Sequence, residues 1–415
     1  MASDETTAPR TAGTNEGTPG LALPRGLTLL FAVACGSAVA NVYFAQPLLV
    51  TLGRDFAISP ATLGTVVTLT QLGYGLGLFF LVPLGDLLDR RRLVVTQLLL
   101  LAAALTLVGT AAVAALLLAG MAAVGLLAVV TQTLVAFAAS LAAPARRGRV
   151  VGLVTGGVVI GILLARTVSG LLADLAGWRS VYLASAALTC VLALALHRAL
   201  PPRDTTAPSM NYGRLLRSTL TLFAQERLLR LRALFALLLF AAFSTLWSCV
   251  ALPLSAPPLS LSHTAIGAFG LVGAVGALAA TVAGRLNDRG LSQRTTGVGL
   301  ALLVASWLPL AYARQSLWAL AVGVIVLDLA VQAVHVTNQS LIYALRPDAG
   351  SRLIGGYMVF YSLGSAFGAI ASTALYAVAG WGAVCALGTV ISCLAFLLWA
   401  GTRTRTPAPD PAAAR

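Results

Sequence analysis

The chain contains no lysine: all 27 of its basic residues are arginine. Charged residues of both signs make up only 10% of the 415 residues, whereas 59% are apolar, so there is too little polar surface to cover a water-soluble globule of this size. A Walker A phosphate loop needs a lysine to reach the terminal phosphates of its nucleotide. The composition therefore excludes a soluble protein and argues against ATP as a partner of this subunit.

Cysteine and histidine are also scarce, and neither forms a recognisable site. The five cysteines are odd in number, lie inside apolar runs and lack the spacing of a metal site or a disulfide framework. The three histidines, His197, His263 and His335, are scattered, with no HExxH spacing, and the chain has no obvious serine nucleophile elbow. We therefore predict no metal, no cofactor and no enzymatic activity, and a membrane-embedded enzyme acting on lipids stays a remote alternative.

Long apolar stretches fill most of the chain. One bilayer crossing takes roughly 20 apolar residues, which leaves room for about twelve helices once short loops are allowed. The stretches lie at roughly 27–51, 61–84, 93–113, 115–142, 150–174, 180–199, 233–255, 264–284, 295–313, 316–344, 353–379 and 382–400. The sequence predicts an all-α membrane protein with twelve transmembrane helices, which we number as the first to the twelfth span.

The arginines are distributed unevenly around these spans. If the N-terminus is inside, the outside loops keep only Arg54, Arg179 and Arg314, and Arg166 falls within a span. Because positively charged loops stay on the cytoplasmic side, we expect a protein of the cytoplasmic membrane with both termini in the cytoplasm. The net charge of +14 thus reflects membrane topology, and we predict no nucleic-acid partner.

The chain repeats itself at a fixed distance. Four features recur 203 positions later: Arg149 and Arg352, Gly152 and Gly355, Gly161 and Gly364, Trp178 and Trp381. An earlier pair, GDLLDR at 85–90 and GRLNDR at 284–289, is 199 positions apart. We predict two six-helix, pseudo-symmetric halves that enclose a cavity at the middle of the membrane. A chain with both halves needs no second subunit to form this pathway, so we expect it to function as a monomer.

Composition divides the chain into five parts. A cytoplasmic tail at 1–22, rich in Thr, Gly, Ala and Pro, is predicted to be disordered, and 402–415 forms a second cytoplasmic tail. The two halves, 23–200 and 233–401, are joined by a cytoplasmic linker at 201–232. The linker contains GRLLRSTLTLFAQERLLRLR, whose leucines and arginines alternate with a helical period. This pattern favours an amphipathic helix at the membrane surface over a plain solvated linker.

Both halves carry a Gly-x-x-x-Asp-Arg element in the loop after their second span. The copies comprise Gly85, Asp89, Arg90 and Arg91 in the first half and Gly284, Asp288 and Arg289 in the second. Such an aspartate can cap a helix N-terminus and pair with arginine across the half interface, which would hold one access state. Anchoring by positive charge alone would explain the arginines but not the aspartates. In this position the element resembles the signature loop of the major facilitator superfamily, and the resemblance covers the whole transmembrane region.

The first span carries the string Asn41-Val42-Tyr43-Phe44-Ala45-Gln46-Pro47. Hydrocarbon does not tolerate amides facing lipid, and a proline breaks the helical hydrogen bonds, so this segment is expected to face the cavity or a neighbouring helix. The string resembles the first helix of bacterial drug–proton antiporters and arabinose-type sugar efflux permeases of that superfamily. Amides that only join helices together are the competing interpretation.

The fifth span combines close-packing glycines with one buried charge. Gly152, Gly156, Gly157 and Gly161 are spaced mostly by four, which lets a neighbouring backbone approach. Arg166 stands about mid-helix, where an unpaired guanidinium costs several kcal/mol. Arg166 therefore either binds an anionic group in transport or neutralises an acid within the membrane as a structural pair.

The tenth span carries a polar stripe. Asp328, Gln332, His335 and Gln339 recur at steps of four, three and four, which places them on one helical face with Asn338 close by. Carboxylate and imidazole groups are the membrane-embedded side chains that take up and release protons near neutral pH. Our hypothesis is that Asp328 and His335 carry a coupling proton and that Arg166 biases the protonation of Asp328. The alternative is a static Asp–Arg or Asp–His pair.

A substrate site is expected where these polar residues meet the midplane cavity. Aromatic side chains of the first, seventh and eleventh spans could stack on a substrate, although packing or interfacial anchoring explains each one alone. The predicted substrate-cavity residues are Asn41, Tyr43, Gln46, Gln132, Trp247, Gln332, Asn338, Gln339, Tyr357 and Tyr361.

The resemblance implies a secondary transporter that moves a small organic solute by alternating access. It also implies proton-linked efflux, with the solute, protons and the lipid bilayer as partners. Uptake by proton symport and facilitated diffusion without coupling remain alternatives, because the same carboxylate could drive the first and be irrelevant to the second.

Overall fold

The computed structural model of the chain describes residues 24–143, 146–200, 211–345 and 350–403. Within these ranges the backbone forms helices and turns and no strand. The helices are α1 (Arg25–Ala40), α2 (Leu49–Asp55), α3 (Gly64–Phe80), α4 (Arg90–Gly109), α5 (Ala114–Ala128), α6 (Val130–Leu141), α7 (Arg147–Ala176), α8 (Trp178–Ala199), α9 (Tyr212–Gln225), α10 (Arg227–Trp247), α11 (Ala251–Ser255), α12 (His263–Val272), α13 (Ala274–Asp288), α14 (Ser292–Ala311), α15 (Leu317–Leu345) and α16 (Gly350–Arg403). The predicted tail at 1–22, most of the tail at 402–415 and the linker residues 201–210 lie outside the described residues.

The helices group into apolar segments that match the predicted spans. Among the described residues, nine segments are long and apolar enough to cross a membrane. The longest of them, in α16, changes direction at Gly380, where the backbone leaves the helical region. α1 continues into α2 through a short 3₁₀ turn that contains Pro47, and α12 continues into α13. The predicted all-α membrane fold is confirmed, and this grouping is consistent with twelve spans.

The structure repeats the pattern of the sequence. Gly177 and Gly380 both adopt positive φ, 79° and 71°, between the fifth and sixth spans and between the eleventh and twelfth. Only glycine adopts this backbone conformation readily. The fifth span packs on the first where Gly161 meets the backbone of Gly36, and the eleventh packs on the seventh where Gly364 meets the backbone of Leu237. Equivalent glycines thus position equivalent helices in the two halves.

The two sides of the molecule differ in charge and in how the halves meet. We call the side with the loops after even-numbered spans the arginine-rich side, since it carries Arg90, Arg91, Arg92, Arg146, Arg147, Arg149, Arg285, Arg289 and Arg294. Contacts between the halves extend to the opposite side. There Gly64 N donates to Thr373 Oγ1 at 3.0 Å, and Thr68 Oγ1 donates to the Ala366 carbonyl at 2.9 Å. The second span thereby closes against the eleventh.

The linker contains a helix, and the helix of the seventh span begins earlier than the sequence predicts. α9 is a helix with Leu215, Thr219 and Leu222 buried on one face, as an amphipathic helix requires. α10 begins at Arg227, before residue 233, because the arginines of LLRLR continue the helical register. Arg232 consequently lies inside a helix of the membrane domain with only 2% of its surface exposed.

The contact between the first and fifth spans yields a packing prediction. A Cβ atom on Gly161 would collide with the backbone of Gly36, whereas one on Gly156 of the same helix would meet nothing within 4 Å. We expect Gly161→Val to destabilise the protein by about 1–3 kcal/mol, because overpacking forces helices apart. A lowered thermal unfolding midpoint of the purified protein measures this effect. Gly156→Val is the matched control, and equal midpoints for the two variants would contradict the close approach.

Candidate functional site

Arg166 of the fifth span lies between the two halves. Its side chain is 4% exposed, and its Nε donates a hydrogen bond to Gln46 Oε1 of the first span at 2.6 Å. The guanidinium carbon lies 4.0 Å from the ring centroid of Trp247 in the seventh span, a favourable cation–π distance. Arg166 Nη2 has no hydrogen-bond partner among the described residues. The cation is therefore held in place and keeps one buried donor unused.

Asp328 of the tenth span meets the same indole at its Nε1 edge. Asp328 is 8% exposed, and its carboxylate accepts a hydrogen bond from Trp247 Nε1 at 3.3 Å. The eighth span can pack closely on it because Gly273 and Gly276 carry no side chain there, and a Cβ on Gly273 would collide with the carboxylate. No ion pair within 4.0 Å joins Asp328 and Arg166 among the described contacts. Trp247 thus contacts both members of a charge pair that crosses from one half to the other.

An aromatic layer closes around this pair. The hydroxyls of Tyr43 and Tyr361 are 2.6 Å apart and connect the first span to the eleventh. Tyr361 in turn lies against Phe240, with ring centroids 3.9 Å apart. Tyr43 also faces Arg166, whose guanidinium carbon is 5.1 Å from the ring centroid. Tyr43, Gln46, Arg166, Trp247, Asp328 and Tyr361 therefore form one cluster, which we call the central cluster.

The polar stripe of the tenth span divides into two places. Asp328 joins the central cluster, whereas His335 Nδ1 lies 2.8 Å from the Tyr357 hydroxyl. Asn338, which is fully buried, accepts a hydrogen bond from Arg232 Nη1 at 3.1 Å. Gln332 and Gln339 are half-buried. Helical spacing put these residues on one face, but seven residues along a helix span about 10 Å, so Asp328 and His335 have different neighbours.

Two other predicted cavity residues make contacts within the first half. Asn41 donates to backbone carbonyls of its own helix, and its Oδ1 accepts a hydrogen bond from Ser185 of the sixth span at 2.7 Å. These bonds favour the interpretation of Asn41 as an amide that joins helices. Gln132 of the fourth span donates to the Tyr74 hydroxyl at 3.5 Å. Their roles in a substrate cavity remain predictions.

A second polar cluster joins the halves on the side opposite the arginines. His263, the first residue of α12, lies with Nδ1 2.6 Å from Asp174 Oδ1 of the fifth span and with Nε2 2.7 Å from Thr51 Oγ1. Asp174 Oδ2 also accepts hydrogen bonds from the backbone and hydroxyl of Thr264 at 2.8 and 2.7 Å. Asp174 therefore caps a helix of the other half. We call Asp174, His263, Thr264 and Thr51 the Asp174–His263 latch.

Sequence reasoning missed this latch. His263 was one of three scattered histidines, and Asp174 was only an acid near a span end. Ser-His-Thr at 262–264 does match a helix start, and Ser262 accepts a hydrogen bond from Ala265 N as an N-cap. That signal locates α12, but it does not indicate which half supplies the carboxylate.

Comparisons with known proteins assign the family. The family model described as "Major Facilitator Superfamily" matches residues 29–257 and 234–415. The chain belongs to the major facilitator superfamily. An "Uncharacterized transporter YgaY" of Escherichia coli O157:H7 is 46% identical over 92% of this chain and 96% of its own length. The resemblance seen in the signature loops is thus confirmed, and membrane transport of a solute is the activity that the family supports.

More distant relatives agree with this assignment. The "Chloramphenicol resistance protein" of Streptomyces lividans is 28% identical over 68% of this chain and 71% of its own length. A bacterial homologue of the human lysosomal transporter Spinster, solved in an inward-facing and occupied conformation, has a TM-score of 0.73 at 14% identity. It covers 93% of this chain and 98% of that structure. At such identity the likeness shows the superfamily fold alone.

The superfamily signature loop of the first half is tied to its own half. Asp89 Oδ1 accepts a hydrogen bond from Arg92 N at 2.7 Å and so caps α4. Arg90 Nε donates to the Gly85 carbonyl at 2.8 Å, and Arg91 Nη2 donates to the His197 carbonyl at 2.6 Å. The capping part of the expectation fits this geometry. The gating role of this loop and of Gly284, Asp288 and Arg289 in the second half remains a prediction.

A cavity of about 340 Å³ opens on the arginine-rich side of this superfamily member. Its lining includes Arg90 and Arg147 of the first half and Arg352 of the eleventh span, together with Thr133 and Ser140. The molecule thus has closed contacts on the opposite side and an arginine-lined recess on this one.

We expect the Asp174–His263 latch to hold the opposite side closed. Asp174→Ala removes the ring partner and the helix cap together, so the halves should separate there more often. Spin labels on Ala112→Cys and Arg314→Cys, both exposed and one in each half, report this separation in a background lacking the accessible Cys190 and Cys393. The distance distribution should shift to longer values.

Asp55→Ala is the matched control for the latch. Asp55 is also an aspartate on this side, but its partners Trp178 and Arg179 belong to its own half. Its removal should leave the distance distribution unchanged. The proposed latch is wrong if Asp174→Ala and wild type give the same distribution.

Proposed function

We propose that this protein is a proton-coupled exporter of a small organic solute that works by alternating access. The observation that carries the proposal is the central cluster, where Arg166 of one half lies over the ring face of Trp247 and Asp328 of the other half accepts a hydrogen bond from its Nε1. A carboxylate buried between two moving bodies is a group whose protonation can be linked to their separation. Both charges lie on spans that line the half interface.

The chemistry of coupling follows from the charges. While Asp328 is ionised, its attraction to Arg166 and its hydrogen bond from Trp247 hold the halves together. A proton bound to the carboxylate removes the negative charge, so the attraction across the interface is lost and the halves can part. Arg166 is then left without an anionic neighbour. This favours either release of the proton from Asp328 to the other side of the membrane or binding of a polar substrate group at Arg166 Nη2. His335, bonded to Tyr357, offers a second proton-accepting site.

Direction and topology are part of the proposal. The positive-inside rule assigns the arginine-rich side and both termini to the cytoplasm and the protein to the cytoplasmic membrane. The halves 23–200 and 233–401 would rock as bodies joined by the linker 201–232, and the recess would face the cytoplasm. Export is favoured by the likeness of the first span to drug–proton antiporters. A relative named for chloramphenicol resistance makes chloramphenicol a sensible test compound.

The predicted cavity residues suit a small polar or amphipathic solute. One acid, one arginine and several amides offer hydrogen bonds, whereas a bulky organic cation would usually need more acids. Gln332 and Gln339, half-buried on the tenth span, would contact the solute once the aromatic layer of Tyr43, Tyr361 and Phe240 opens. The transporter would function as a monomer, because one chain supplies both halves.

The coupling proposal predicts a defined loss in Asp328→Asn. In proteoliposomes with a pH-sensitive dye inside, a panel of sugars, amino acids, nucleosides, cationic drugs and chloramphenicol is applied by rapid solution exchange. The wild type should move protons when its substrate is present. Asp328→Asn keeps the shape of the side chain but cannot carry the proton, so substrate-driven proton movement should fall by about tenfold or more.

The control is Asp55→Asn, an aspartate exposed on the surface, which should retain wild-type proton movement. Solute uptake coupled to inward proton flow, instead of counterflow, would establish symport. Solute transport without proton movement would favour facilitated diffusion and reject coupling. Proton-coupled transport by Asp328→Asn at the wild-type rate would reject the assigned role of this carboxylate.

A further inference from the structure

The buried charges of the described residues do not balance. Three ionisable side chains with formal charge at neutral pH have less than 9% of their surface exposed: Arg166, Arg232 and Asp328. Asp328 is the counter-charge of Arg166, and both residues contact Trp247. Arg232, 2% exposed, remains as a second cation with no acid of its own. Arginine does not lose its proton in proteins, and a buried charge without a counter-charge costs several kcal/mol.

The neighbours of Arg232 are neutral. Its Nη1 donates to Asn338 Oδ1 of the tenth span at 3.1 Å and lies 3.5 Å from Thr296 Oγ1 of the ninth span. The ring of Phe235, one turn along the same helix, lies 5.5 Å from the guanidinium carbon. Among the described residues no carboxylate lies within 4.0 Å of it. These contacts orient the guanidinium but do not neutralise it.

Two donors at this place are unused. Arg232 Nε and Asn338 Nδ2 are buried and make no hydrogen bond, although Asn338 itself is held at Oδ1 by Arg232. The Asn338 amide faces the Tyr357 hydroxyl without completing a bond of good geometry. Buried donors are satisfied in the great majority of cases, so the unfilled Nε of an uncompensated guanidinium points to an absent acceptor.

We propose that Arg232 and Asn338 form a binding site for a small monovalent anion, a halide or a carboxylate group, within the second half. Such an anion would accept a hydrogen bond from Arg232 Nε, while Asn338 holds Nη1, and would neutralise the buried guanidinium. The site is separate from the central cluster: its two residues lie on the seventh and tenth spans, and the hydrogen bonds and ring contact described for Arg232 are all within the second half. It does not depend on the proposed direction of transport or on proton coupling.

The recess on the arginine-rich side supplies a route for an anion. Gly355 and Gly356 of the eleventh span line it, and Tyr357, the next residue, faces Asn338. Arg147 and Arg352 also line this recess, which favours the entry of an anion next to the helix turn that carries Tyr357.

The test is the thermal stability of the purified protein in anions of different size. The sodium salt of a bulky sulfonate, MES, is replaced stepwise by sodium chloride in one arm and by sodium acetate in the other, at constant ionic strength. A ligand that binds the folded state alone raises the unfolding midpoint in a saturable way. We expect the wild type to gain roughly 2 °C or more in at least one arm. The arm that responds distinguishes a halide from a carboxylate.

Two variants connect the shift to this site. Arg232→Gln removes the cation and should abolish the anion-dependent shift. Asn338→Asp supplies a carboxylate permanently beside Arg232, so it should be insensitive to both anions and at least as stable in MES as the wild type is in the responding anion. This second variant keeps the test valid if Arg232→Gln folds poorly. Arg314→Gln, at an exposed arginine, is the control and should respond as the wild type does.

The proposal is overturned if neither anion shifts the midpoint of the wild type. It is also overturned if Arg232→Gln or Asn338→Asp retains the full saturable shift, because the anion would then bind elsewhere. None of these readouts uses transport, so the anion site and the coupling mechanism can fail independently.

Discussion

The placement of charge in a low-dielectric interior constrains the whole molecule. Ionised side chains are expensive away from water, and the described helices bury only three of them. Arg166 is tolerated because Gln46, the Trp247 ring and Asp328 surround it, and these partners come from both halves. The halves therefore cannot separate without disturbing the environment of a buried cation. On this dependence rests our proposal that the interface responds to a proton.

The fifth span connects the centre of the molecule to its closed side. Arg166 and Asp174 lie two turns apart on one helix, and between them Gly170 meets the backbone of His263. The same helix thus contacts the seventh span through Arg166 and the eighth span through Gly170 and Asp174. A rigid movement of this helix away from the eighth span would open the Asp174–His263 latch and expose Arg166 together. Opening at the surface and loss of the central contacts are then one motion.

Sequence alone predicted the fold, because a bilayer requires long apolar helices and the repeat fixes their number and order. It also identified Arg166, Gln46 and Asp328 as polar groups within spans, since polarity in an apolar run is visible along the chain. It did not predict which of them meet. Three features depend on contacts between helices that are far apart in the chain. They are the contacts of Trp247 with two charged residues, the contact of Asp174 with His263 and the burial of Arg232. Helical period placed Asp328 and His335 on one face, but axial separation gave them different neighbours.

The two halves share a scaffold but not its chemistry. With the 203-residue offset, Gly161 corresponds to Gly364 and Gly177 to Gly380, and these glycines perform the same packing and turning roles in both halves. Arg166 and Asp174 correspond to Ala369 and Ala377, so the charged groups of the fifth span have no copies in the eleventh. The backbone of Ala369 instead packs against Gly64, where a Cβ atom would collide with the Ala369 carbonyl. In the proposed mechanism the symmetric scaffold allows the halves to rock, and the unmatched charges are the groups to which that movement is coupled.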